Sequence, residues 1–161
     1  MNLKPIDHTT LKTNQGFIIL FSLLAFLFNQ PWVVALVALV MLTGSLLLKR
    51  PGFAFLYTRL LKPAGILRPD VIEDNPEPHL FAQGFGGTVL AGAALALFLG
   101  ASALGWGLAW LVIALASLNL FAGFCVGCAV YYWLSRLKIP GFIKSPPPGV
   151  FPGLRPKRGA Q

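Results

Sequence analysis

Four long apolar stretches limit what this chain can become. They run over about residues 13–29, 31–48, 84–104 and 106–134. An α-helix needs about 20 apolar residues to cross a bilayer. The third and fourth stretches exceed that and the second is adequate. The first is short and takes in Thr13, Asn14 and Gln15 at its polar end. Composition closes the alternatives: 56% of residues are hydrophobic, 11% are charged, and the mean hydropathy is +0.72. A soluble domain of 161 residues cannot hide that much apolar surface. A disordered chain lacks hydrophobes, and two cysteines are too few for a secreted disulfide scaffold. The expected fold is all-α: an integral membrane four-helix bundle made of two helical hairpins.

The connections support that pairing. Asn29-Gln30-Pro31 joins the first two stretches, with Pro31 suited to a first helical turn. Gly105 separates the last two. The first stretch is not a cleavable signal peptide, because it lacks an A-x-A site and another span follows at once. Lys4 and Lys12 precede the first span. Lys49, Arg50, Arg59, Lys62 and Arg68 lie between the hairpins, and Arg136, Lys138, Lys144, Arg155, Lys157 and Arg158 follow the fourth span. These are all 13 basic residues, and neither hairpin turn carries one. The positive-inside rule then places both termini and the central loop in the cytoplasm. The net charge of +8 reads as a basic cytoplasmic face beside anionic lipid, not as a nucleic-acid site.

Residues 49–83 form the central loop. Its 53–62 segment reads as a short amphipathic helix at the membrane surface. Pro69 to His79 is acidic and proline-punctuated, which predicts an extended or turning loop. Residues 139–161 form a proline-rich basic tail, read as extended, with a partner contact and a plain solvated tail both open. A faint internal repeat pairs Gln15-Gly16-Phe17 with Gln83-Gly84-Phe85, and Trp32 with Trp106. It would be a parallel repeat about the membrane normal.

Chemistry concentrates at Cys125-Val126-Gly127-Cys128. A C-x-x-C pair can exchange thiol and disulfide or hold half of a soft-metal site. It falls near the cytoplasmic end of the fourth span, where a structural disulfide is not expected. The competing reading is packing. Gly123 and Gly127 form a GxxxG with small neighbours, and cysteine can serve as a small apolar residue. A cysteine pair inside a continuous helix also lacks the N-terminal dipole that lowers a thiol pKa; a break at Gly123 or Gly127 would remove that objection. Topology brings Glu77, His79 and Gln83 to the same membrane side, where they could shape the site, with His79 a proton shuttle or third ligand. No metal set is assigned, since the spacing is irregular and His8 is distant in sequence. Asn119, the most polar residue within the spans, reads as a helix–helix hydrogen bonder. No span interior holds Asp, Glu, Lys or Arg, which argues against ion-coupled transporters. No serine-nucleophile, phosphate-loop, HExxH, haem or quinone motif is readable, and no cofactor is implied.

Asn75-Pro76-Glu77-Pro78-His79-Leu80-Phe81-Ala82-Gln83-Gly84, with Gly123-Phe124-Cys125-Val126-Gly127-Cys128 and Tyr131, resembles the domain of unknown function 4395 family of small bacterial four-helix membrane proteins. The resemblance covers about residues 14–136. It implies a bacterial cytoplasmic (inner) membrane and makes both cysteines family features. The chain departs from the family pattern at His79, where arginine is frequent, which weakens a mechanism built on that histidine alone. The resemblance implies no established activity.

Two functional classes follow. One is a membrane thiol-disulfide or sulfur-handling protein, with Cys125 and Cys128 exchanging with a cytosolic thioredoxin-like or sulfurtransferase partner. The other is a non-enzymatic accessory or scaffold subunit of a larger membrane complex, or a homo-oligomer. A transporter built by oligomerisation ranks third.

Overall fold

The computed structural model describes residues 3–156. Its helices are α1 (His8–Leu27), α2 (Pro31–Thr43), a short α3 (Ala54–Leu56), α4 (Pro76–Phe98), α5 (Ser102–Ser117) and α6 (Val126–Arg136). Single π-helical turns extend α2 through Gly44–Leu48, α3 through Tyr57–Leu61 and α5 through Leu118–Ala122. Four helical rods are long and apolar enough to span a membrane: His8–Leu27, Pro31–Leu48, Pro76–Phe98 and Ser102–Ala122. The chain is an all-α, multi-pass membrane protein.

The bundle follows from side-chain size. Ala25, Ala38, Ala93, Ala94 and Ala109 are buried and let backbones approach closely, while Ile18, Val34, Val37 and Leu90 fill the gaps between them. Gly105 is one such approach, because a Cβ there would lie 2.5 Å from Leu97 Cγ. Leu36, Leu39, Leu47, Leu95 and Phe121 are exposed on the outside, as a lipid-facing surface requires. Trp32 and Phe98 meet at a tilt of 56° with ring centroids 4.6 Å apart, beside the two tight hairpin turns.

Three features depart from the expectations. First, the 106–134 stretch is not one helix. Gly123 adopts φ +66°, which ends α5, and a new helix starts at Val126 with Cys125 as its N-cap. Glycine takes that left-handed conformation without the Cβ penalty other residues meet. Second, the Pro69–His79 segment is only partly loop. Val71–Asp74 forms a strand, β2, paired antiparallel with β1 (Lys4–Asp7), and α4 then begins at Pro76. Asp7 holds this junction: its Oδ1 accepts the N–H of Thr9, capping α1, and the N–H of Asp70. A four-residue pairing with little hydrophobic alternation carries almost no local signal, so its partner strand decides it. Third, the described part of the tail does not hang free. Gly153 C=O accepts the Cys125 N–H at 2.8 Å, and the Arg155 N–H donates to Gly123 C=O at 3.0 Å. Lys157 and Arg158 lie outside the described residues.

Candidate functional site

The break at Gly123 creates the site. It turns the chain so that Cys125 caps α6, and the Cys128 N–H donates to Cys125 Sγ at 3.2 Å. The two sulfurs are joined as a disulfide with Cα atoms 5.2 Å apart. One helical turn separates them, so both sulfurs face the same side of the first turn of α6. The first turn of a helix carries N–H groups with no carbonyl partner within the helix, an end of the dipole that favours negative charge. The objection that a mid-helix cysteine pair would be inert therefore does not apply here.

His79, one turn into α4, faces the pair. Its Nδ1 lies 3.5 Å from Cys128 Sγ, and its Nε2 lies 2.9 Å from Asp74 Oδ2. His8, at the start of α1, approaches the same carboxylate oxygen at 3.4 Å, and the two imidazoles meet edge-to-face. The β1–β2 pairing delivers both groups: it sets Asp74 just before α4 and ends at the residue preceding His8. Asp74 is buried, which on its own would raise its pKa. The hydrogen bond from His79, the close approach of His8 and the Asn75 N–H at 2.8 Å outweigh burial and hold the carboxyl well below the usual carboxylate range. An ionised carboxylate only accepts, so His79 donates from Nε2. Nδ1 is then the nitrogen that faces Cys128. Tyr132 completes the wall. Burial pushes its phenol up to about 12, against a donation from Asn75 Nδ2.

A cavity of about 50 Å³ sits over the disulfide, bordered by His8, Lys12, Asp74, His79, Cys125 and Arg155. Arg155 reaches it from the tail and pairs with Asp70. When the disulfide is reduced, one ligand atom each from His79, Cys125 and Cys128, all within 4.8 Å of one another, could also share a soft metal ion.

The remaining sequence-stretch candidates divide. Gln83 borders the cavity, but its hydrogen bonds serve the scaffold. Its Nε2 donates to Met41 C=O at 3.0 Å, and its Oε1 accepts from Asn14 Nδ2 and the Gly52 N–H. It ties α4 to α1, to the end of α2 and to the central loop. Glu77 points away and pairs with Lys144 at 3.6 Å. Gly127 is a packing glycine, since a Cβ there would meet Ala82 Cβ at 2.5 Å. Gly123 is a helix terminator and not half of a GxxxG contact. Asn119 lines the cavity wall and its side chain makes no hydrogen bond with a neighbouring helix among the described residues. Sequence reasoning missed His8 and Asp74. Asp74 showed only as one acid in a proline-rich run, and His8 is 66 positions upstream of it, so no spacing rule links them.

Neither the curated proteins nor the solved structures contain a match to this chain. Residues 6–136, which hold the disulfide, His79, Asp74 and His8, match the family described as Domain of unknown function (DUF4395), and the chain belongs to that family.

Proposed function

We propose that this protein is a membrane thiol-disulfide exchange protein whose working pair is Cys125 and Cys128. The supporting observation is the placement of C-x-x-C at the start of α6, with Cys125 as the N-cap and Cys128 beside a histidine oriented by a buried carboxylate. A pair kept only for packing has no use for that arrangement.

In the oxidising direction, the Cys125 thiolate attacks a partner disulfide. One Cys125–partner S–S bond forms and one partner thiolate leaves. Cys128 passes its proton to His79 Nδ1 and attacks Cys125 Sγ. The intramolecular disulfide closes, the second partner thiolate leaves, and two electrons have moved to the partner. The reverse sequence reduces the pair. A cytosolic thioredoxin-like or sulfurtransferase protein fits as partner. The family resemblance implies a bacterial inner membrane, and the basic loops argue for both termini and the site on the cytoplasmic side.

The test is redox-state trapping in native membranes. A mass-adding maleimide is applied before and after reduction to wild type, Cys125→Ser and Cys128→Ser. We expect a wild-type pair that cycles between labelled and reducible forms, and a mixed disulfide trapped through Cys125 in Cys128→Ser. Thiols labelled only after denaturation would overturn the reading and favour an accessory subunit.

A further inference from the structure

Cys125 borders two openings. One is the polar cavity described above. The other is a crevice between α1, α4 and α5, walled by Val89, Leu111 and Leu115 and ending at Cys125. Leu111 lies midway along the membrane-spanning α5, so the crevice runs from the apolar depth of the bilayer to the disulfide. Phe85 and Leu111 at its edge are exposed on the lipid-facing surface. Its sulfur end is different in character. Gln15 and Asn119 line it there, and neither side-chain amide makes a hydrogen bond with a described residue. Both amides also border the polar cavity, at the end of the spans where the disulfide lies, so they offer donors at the junction of the two openings.

We infer that this crevice takes the head group of a membrane quinone, which accepts the electrons of the Cys125–Cys128 dithiol. A quinone matches each part of the opening. Its ring and isoprenoid tail suit the apolar walls, its carbonyl oxygens accept from the amides of Gln15 and Asn119, and it is a two-electron oxidant carried in lipid. The step balances: two S–H bonds break, one S–S bond forms, and the quinone takes up two electrons and two protons to become a quinol. A phospholipid acyl chain would fit the walls but has no use for the amides. The disulfide then stands between a thiol partner on its polar side and an oxidant on its lipid side. This inference rests on the thiol-disulfide reading and names the oxidant of that same site.

The test uses full-length protein in lipid nanodiscs, reduced, freed of reductant and mixed anaerobically with ubiquinone-1. Its fully substituted ring resists direct thiol addition. Quinol formation and loss of free thiol are followed in parallel, and exchange with oxidised thioredoxin is measured on the same sample. We expect one quinol per dithiol, none from the Cys125→Ser/Cys128→Ser double variant, and an apparent quinone affinity weakened about tenfold by Leu115→Trp, which fills the crevice, or by Asn119→Leu. Wild-type protein that exchanges with thioredoxin but leaves ubiquinone-1 unreduced overturns the inference and leaves the thiol reading standing. Quinone reduction at equal affinity in both crevice variants also overturns it. Protein that does neither reaction overturns both readings.

Discussion

Asp74 governs the chemistry of the neighbouring residues. Its carboxylate fixes which nitrogen of His79 carries the proton and therefore which nitrogen faces Cys128. Removing a partner from a buried charged cluster costs about 3 kcal/mol or more, because the remaining groups stay desolvated. The pH dependence follows from the direction of its shift. A carboxyl with a depressed folded-state pKa contributes stability that is fully present above its unfolded value of about 4 and is lost as pH falls toward the folded value. Wild-type protein should therefore hold this contribution throughout neutral and mildly acidic pH and lose it only in strong acid. Asp74→Asn should melt lower at neutral pH, with the gap to wild type closing in acid; tryptophan-detected thermal melts in detergent across pH measure both. A gap independent of pH would remove the charge from the explanation.

At the scale of elements, the interruption between α5 and α6 matters most. A continuous helix through residue 134 would keep Cys125 and Cys128 in a hydrogen-bonded interior, without free N–H groups nearby. Gly123 prevents this through one left-handed residue. An L-residue in that conformation costs roughly 1–2 kcal/mol. Gly123→Ala should lose about that much stability and slow maleimide labelling of Cys125 in the reduced protein, since the cap geometry shifts with the break. Unchanged stability and labelling would show that the turn does not depend on glycine. The tail segment belongs to the same scale. Its Gly153 and Arg155 pair with the backbone of Cys125 and Gly123, so residues distant in sequence buttress the first turn of α6.

For the whole molecule, the polar residues are segregated at one end. The disulfide, both histidines, Asp74 and the Asn14–Gln83 pair lie where α1 and α4 begin and α2 and α5 end. Among the described residues, the opposite end carries only the tight turns at Asn29 and Gly100. Every basic residue among the described residues lies at or beyond the polar end, which argues that this end faces the cytoplasm. Single cysteines placed at Gly100 and at Lys4 in a Cys125→Ser/Cys128→Ser background test this. A membrane-impermeant maleimide applied outside intact cells should label the first position and reach the second only after lysis; the opposite pattern would invert the protein.

The number of membrane helices and the hairpin pairing were legible in the residues alone. Long apolar runs and the Asn29-Gln30-Pro31 turn are local signals, and no water-soluble alternative could bury them; Gly105, read as the second turn, instead packs inside α5, and the chain reverses at Gly100, because an unbroken apolar run does not mark where its helices end. The cysteine pair and its nearness to His79 were legible too, because topology alone brings both to one membrane side. The rest depended on tertiary contacts. Gly123 could have packed or terminated a helix, and its φ is settled by the tail that bonds to it and by the turn it must make. Gln83 was read as shaping the site, yet its hydrogen bonds go to chain segments that only the folded bundle brings near. The cluster of His8, Asp74 and His79 joins an N-terminal strand to the strand before α4. A buried charge finds its partners through such long-range pairing, and no periodicity along the chain records it.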